Sequence, residues 1–119
     1  MILVRDDGFH PDDWSGMVLD LPGDAAPEDA DLTAPLIRIS FPAFGDGRGF
    51  TLARMLRARG FGGRLRAAGP VLPDQYTMLR RTGFDEVELT DDHAARHPES
   101  SWRARADWQA HDYRSRLAG

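Results

Sequence analysis

A chain of 119 residues with 41% hydrophobic and 29% charged side chains has the make-up of one globular domain, long enough to bury about two-thirds of its unfolded surface. It contains no cysteine, and all 15 of its basic residues are arginine. Disulfides, thiolate nucleophiles, iron–sulfur and cysteine–zinc ligation, Schiff-base chemistry and the phosphate-loop lysine are thereby excluded, leaving guanidinium as the permanent side-chain cation for gripping an anion.

The net charge of −4 is unevenly spread: residues 1–31 hold nine acids and one base, and the remainder fourteen bases and ten acids. That reads as an acidic, solvated N-terminal segment on a mildly basic body, with no motif for nucleic acid. No apolar run approaches the roughly 20 residues of a membrane span, and residues 1–4 are too short for a secretory core. A cytoplasmic protein that binds neither nucleic acid nor membrane is expected.

Residues 1–4 read as an edge strand or hairpin arm, broken by Asp6, Asp7 and Gly8. FHPDDWSG is turn chemistry around Trp14, a cover for the core, so residues 1–16 are expected to be an irregular acidic segment. MVLDL (17–21) can form a strand ended by Pro22, Gly23 and Asp24, and APEDADLTAP one or two helical turns with Pro27 at an early position. LIRISF (36–41) is the clearest strand, and Pro42, which cannot donate to a ladder, marks its end. AFGDGRG then supplies three glycines within five residues, which permits positive backbone dihedrals and close approach of a ligand. A helix is predicted from about Phe50 to Arg59, with Leu52, Met55 and Leu56 on one side, Arg54 and Arg57 nearer the other, and Gly60 as its stop.

The pattern repeats. LRAA (65–68) is a short strand, Asp74 can cap a helix running through Gln75 to Arg81, and Gly83 stops it. FDEVEL (84–89) alternates apolar and acidic residues as a half-exposed strand does. Residues 91–97 form a helical turn or two before Pro98. A C-terminal helix over 99–117, with a cap at Ser101, carries Trp102, Ala106, Tyr113 and Leu117 near helical spacing. Four strands with crossover-length connectors predict a single-domain α/β fold, its sheet mostly parallel and its connections right-handed. Strand order stays open between a sequential half-barrel and a doubly wound arrangement, and an open sheet edge predicts a homodimer.

FPAFGDGRGFTLARMLRARG, followed by GRLRAAGPVLPDQYTMLRRTGFDEVEL, resembles the bacterial family of unknown function catalogued as domain nine-three-four, over residues 36–89. The DGR turn, the DQ pair and the GFD stretch fall in the family's order and spacing. Asp46, Gly47, Arg48, Arg66, Gly69, Asp74, Gln75, Gly83, Phe84 and Asp85 carry over position by position, whereas the tail after Leu89 matches poorly. The resemblance implies a role in assimilatory sulfite reduction, whose genes members of the family look like neighbours of. Six-electron reduction of sulfite needs a haem-type centre and an iron–sulfur cluster or an equivalent store. A chain without cysteine is therefore expected to be an accessory of such an enzyme, with sulfite reductase or another sulfur-assimilation protein as partner.

In open parallel sheets, ligands bind beyond the carboxyl ends of the strands. The loops there would present Asp46 and Arg48, then Gly69, Asp74 and Gln75, then Asp91, Asp92 and His93, with a helix N-terminus aimed at the same place. A small oxoanion such as sulfite, sulfate or phosphate is expected there, held by Gly47, Arg48, Gly49, Arg66 and Gln75. The alternative is a small enzyme acting on an anionic substrate, with Arg48 and Arg66 as clamps and Asp46 or Asp74 as general acid or base. Each residue also has a structural role open to it. Asp46 can satisfy turn N–H groups, Asp74 can cap a helix, Arg48 can pair with Asp46 or Asp74, and Gln75 can brace adjacent loops. GDGRGF has Phe50 where a dinucleotide fingerprint needs its third glycine, and His93 and His97 have no evident third ligand, so neither cofactor nor metal is expected.

Overall fold

The computed structural model describes residues 1–109. Six strands form one sheet: β1 (Ile2–Arg5), β2 (Gly8–Pro11), β3 (Leu19–Pro22), β4 (Leu36–Ser40), β5 (Arg64–Ala68) and β6 (Glu86–Leu89), in the order β2-β1-β6-β5-β4-β3. From β3 to β6 the strands are parallel and lie in sequential order, while β1 pairs antiparallel with β6 and β2 antiparallel with β1. The α/β domain and the four parallel strands agree with the sequence reading; the sheet is mixed, and it has two strands more.

The first of them, β1, is the hairpin arm expected at residues 1–4, and β2 corrects the expectation that the rest of residues 1–16 is irregular. A two-residue turn at Asp6 and Asp7 sets Arg5 opposite Gly8, and β2, an edge strand, needs no apolar alternation to pair. The acidic turn is an anchor: Asp6 accepts hydrogen bonds from the Tyr76 hydroxyl (2.6 Å) and from Arg80 Nε (3.0 Å). At the far edge, β3 includes Pro22, whose missing N–H an edge strand tolerates. APEDADLTAP forms a single 3-10 turn, Pro27–Asp29.

Helix α1 (Arg48–Ala58) begins two residues earlier than predicted and buries Leu52, Ala53 and Leu56. Met55, expected on that side, is 46% exposed. Arg57 turns inward, donating to the carbonyls of Phe61 and Gly63 (2.9 Å each) and Gly83 (2.8 Å). This side chain stitches the end of α1 to the start of β5 and the approach to β6. Helix α2 (Tyr76–Thr82) is entered through a 3-10 turn at Pro73–Gln75 and has no side-chain cap, so Asp74 does not cap it. Helix α3 (Asp91–Arg96) is capped by Thr90, which accepts from the His93 N–H (3.2 Å).

Helix α4 (Glu99–Arg103) is shorter than the helix predicted over 99–117. Beyond Arg103 the chain folds back along α2, where Thr77 Oγ1 donates to the Arg105 carbonyl and Arg81 Nε to the Trp108 carbonyl (2.9 Å each). Tyr113 and Leu117 lie outside the described residues.

Alternation sorts the sheet into two unlike faces. Val4, Leu21, Ile37, Ile39, Leu65, Ala67, Val87 and Leu89 point to one side, where they form a single core with Leu52 and Leu56 of α1, Tyr76 and Leu79 of α2, and Trp102 of α4. The opposite face carries no helix among the described residues and bears Arg5, Asp20, Arg38, Arg64, Arg66, Glu86 and Glu88 together with buried Leu3 and Leu36.

Replacing buried Leu56 by Ala is expected to lower unfolding free energy by about 2–5 kcal/mol, whereas Met55→Ala should stay within about 0.5 kcal/mol. Urea denaturation followed by circular dichroism distinguishes the two, and equal losses would contradict the helix orientation.

Candidate functional site

The glycine-rich turn reaches α1 in a conformation that needs no positive φ: Gly47, the residue before the helix, has φ −88°. Among its glycines, Gly49 is held to that identity by packing. A Cβ there would lie 2.6 Å from the Phe41 ring, so the missing side chain lets the aromatic at the end of β4 sit beneath the helix.

Asp46 and Arg48 form a closed pair at this turn. The Asp46 carboxylate accepts from Arg48 N (3.1 Å), Nε (3.0 Å) and Nη2 (2.7 Å), and Asp24 approaches Nη1 at 3.4 Å. Arg48 side-chain and backbone hydrogen bonds hold the Asp46 carboxyl down at about 2. The pair is exposed, and the position that an anion would take at the start of the helix is occupied by the chain's own carboxylate.

The three loops at the carboxyl ends of the strands do converge, and side chains tie them together. Gln75 donates through Nε2 to the Phe44 carbonyl and accepts the Leu72 N–H at Oε1 (2.8 Å), joining the Asp46 turn to the loop after β5. His93 Nε2 lies 2.6 Å from the Val71 carbonyl, joining that loop to α3. Asp74 points to solvent and pairs with Arg105 (2.9 Å), while Asp91 and Asp92 are exposed at the start of α3. Asp85 of the GFD stretch accepts the Leu65 N–H (2.8 Å) and Arg57 Nη2 (2.9 Å), which fixes the entrance of β6 against β5.

Arg66 stands apart from the Arg48 turn. It lies in the middle of β5, 1% exposed, on the helix-free face of the sheet. Its Nε donates to Glu86 Oε2 (2.6 Å), its Nη1 to Glu88 Oε1 (2.9 Å), and Asp12 closes on the guanidinium at 3.4 Å. The network continues sideways. Arg38 joins Glu88 Oε1 (3.1 Å) to Asp20 (2.6 Å), and that pairing with Asp20 holds the guanidinium proton more firmly than usual. Arg64 and Arg5 both reach Glu86 Oε1 and Asp13, and Trp14 lies against the Arg64 guanidinium at 5.5 Å. Trp14 thus covers the charged face, not the apolar core.

Sequence reasoning found Arg66 and missed this network. The signal was in the alternation: Arg64 and Arg66 in β5 and Glu86 and Glu88 in β6 stand two apart, and Arg38 falls on the same face of β4. The parallel register then sets Arg38 beside Arg66 and Arg66 beside Glu86. Glu86 and Glu88, expected half-exposed, are 1% and 6% exposed.

Between the ends of β4, β5 and β6 lies a cleft of about 350 Å³, whose walls include Ser40, Phe41, Gly69, Glu88, Thr90 and His93. Gly69 has φ +130°, and a Cβ there would meet the Phe41 carbonyl at 2.1 Å. No other residue allows β5 to leave the sheet so close to β4.

A family model described as a bacterial protein of unknown function, DUF934, matches residues 19–117. The match extends beyond residues 36–89 on both sides and takes in the tail. No curated protein and no solved structure matches the chain.

Removing one partner of the buried network leaves an uncompensated charge, so Arg66→Met is expected to cost about 3–5 kcal/mol in urea unfolding; an unchanged midpoint would refute the burial of these charges. Asp46 has a folded-state carboxyl pKa below its ordinary 3.8. Its stabilising effect is therefore present above the unfolded value and lost as pH falls through the folded one. Carbonyl-detected NMR titration should give a midpoint near 2 in the wild type, rising toward the ordinary range in Arg48→Ala.

Proposed function

On the premise that the chain belongs to this bacterial family of unknown function, we propose that it is a non-catalytic accessory protein of assimilatory sulfite reduction, acting by docking to a partner. The pathway rests on the family resemblance carried by the DGR, DQ and GFD stretches. One observation supports the non-catalytic reading: the groups that could do chemistry are already engaged with one another. Arg48 is held by Asp46, Arg66 by Glu86 and Glu88, and Gln75 by two loop backbones. Among the described residues, no buried side-chain nitrogen or oxygen lacks a hydrogen-bond partner.

The alternative of an enzyme with an aspartate general acid or base fares less well. A carboxyl held near 2 is a poor base at neutral pH, and Asp74 is exposed and paired with Arg105. A sulfite or phosphate ion at the turn would have to displace Asp46 from Arg48, exchanging one oxoanion for another. For a partner protein, by contrast, the turn offers Phe44, 57% exposed, beside the exposed guanidinium of Arg48. An aromatic anchor next to an arginine is the composition of a binding hot spot. The partner under this reading is sulfite reductase or another sulfur-assimilation protein, and the compartment is the cytoplasm. No described helix is long and apolar enough to cross a membrane. Self-association through a sheet edge draws less support, because both edge strands are four residues long and end in proline.

Co-purification of tagged protein with sulfite reductase at micromolar concentration is the direct test. Retention is expected, with a marked loss for Phe44→Ala; failure to associate removes the proposal. Calorimetric titration of sulfite and phosphate into wild type and Arg48→Ala separates docking from ion binding. Heat in the wild type that Arg48→Ala abolishes would establish an oxoanion site instead.

A further inference from the structure

We propose that the cleft at the carboxyl ends of β4, β5 and β6 binds a small amine-bearing molecule, whose ammonium group is received by the free oxygen of Glu88. The proposal concerns residues other than those of the Arg48 turn and stands independently of the docking role.

Its first support is position. The cleft opens where three adjacent parallel strands end, the place at which open α/β sheets gather ligands. Its volume of about 350 Å³ is that of a small-molecule site.

The second support is an oxygen with nothing to bind. Glu88 is 6% exposed and lines the cleft. Both of its hydrogen bonds, from Arg38 Nη1 (3.1 Å) and Arg66 Nη1 (2.9 Å), go to Oε1. Oε2 has no partner among the described residues. Yet no fully buried side-chain oxygen is unpartnered, so Oε2 keeps its accessibility, and the cleft is the space that Glu88 adjoins. Two arginines hold the carboxylate fast from behind, leaving the second oxygen as a fixed acceptor.

Charge and hydrogen-bonding capacity then select the ligand. The network behind Glu88 sets four arginines (Arg5, Arg38, Arg64, Arg66) against five carboxylates (Asp12, Asp13, Asp20, Glu86, Glu88). One negative charge is in excess, which an added cation neutralises and an oxoanion would worsen. The remaining walls repeat the preference. His93 Nε2 lies against a carbonyl, which only accepts, so this nitrogen carries a proton and donates to Val71 instead of to the cleft. Ser40 Oγ has no partner among the described residues and can accept or donate. Among the described residues no arginine lines the cleft, and the amino group of Met1, another lining residue, is held by Asp91 at 3.2 Å. A donor-rich, positively charged head group fits this lining.

Ethanolamine serves as probe, with ethylene glycol and sodium acetate as its neutral and anionic counterparts, in amide-detected NMR of the whole chain. Saturable shifts at Gly69, Thr90 and His93 are expected for ethanolamine, with a dissociation constant in roughly the millimolar range that so small a ligand can reach. Acetate should give none. Glu88→Gln keeps the shape and removes the charge, and should weaken binding about tenfold or more. Ser40→Phe, placed at an exposed position where folding is not at stake, should fill the cleft and abolish the shifts, and it decides the matter should Glu88→Gln fail to fold. Arg48→Ala should bind as the wild type does. No saturable shift with ethanolamine, equal shifts with ethylene glycol, or full binding retained in Ser40→Phe overturns the proposal.

Discussion

Parallel strands adjacent in a sheet are joined by right-handed crossovers, and in this protein that rule operates three times in the same direction. Because β3, β4, β5 and β6 follow one another in order, the connecting segments are all carried to one side. Nothing of the kind is left to cover the other. The helix side solves its problem in the ordinary way, with leucines and isoleucines of the sheet packed against Leu52, Leu56, Tyr76, Leu79 and Trp102. The opposite side, which also holds Leu3 and Leu36, is built mainly of arginines and carboxylates that pair with one another. Such groups are costly to desolvate unless each finds a partner of good geometry. Arg66, bonded to Glu86 and Glu88 and approached by Asp12, meets that condition at the centre of the face.

The same constraint explains the lopsided charge of the chain. The nine acids of residues 1–31 are largely the counterions of the arginine-rich body. Asp12 and Asp13 reach Arg66, Arg64 and Arg5; Asp20 reaches Arg38; Asp6 reaches Arg80; Asp24 reaches Arg48; and Glu28 approaches Arg59 at 3.7 Å. What reads along the sequence as a solvated acidic segment is in three dimensions a set of counterions, with Asp12, Asp13 and Asp20 serving the charged sheet face and Asp6, Asp24 and Glu28 the arginines at α1 and α2. The exposed pairs among these contribute little individually, whereas the pairs of Arg66 with Glu86 and Glu88 are shielded from water and salt.

Several polar residues at the loops and strand entrances take on physical roles in this setting. Gln75 and His93 lace the three loops together, Asp85 pins β6 to β5, and Asp46 closes the start of α1 onto Arg48. Each makes the loop cluster rigid. The proposed amine site at Glu88 and the proposed docking surface at Phe44 would use different parts of this cluster.

The sequence by itself determined the parallel βα core, the strand at 36–41, the helix after the glycine-rich turn and the family to which the chain belongs. Hydrophobic period, proline and glycine punctuation and motif spacing are local properties, and local properties survive in a single chain read alone. It also marked Arg66, Gln75 and His93 as consequential, though not for what. Only the tertiary structure decided that residues 8–11 pair as a second strand with residues 2–5, that Met55 faces outward while Arg57 turns in, and that Arg66 belongs with Glu86 and Glu88 instead of Arg48. Those facts depend on which strand lies beside which and on where a turn delivers its charges. Pairing across the sheet is fixed by crossover handedness and by register between segments as far apart as Asp12 and Arg66, and neither leaves a signature in the residues next to them.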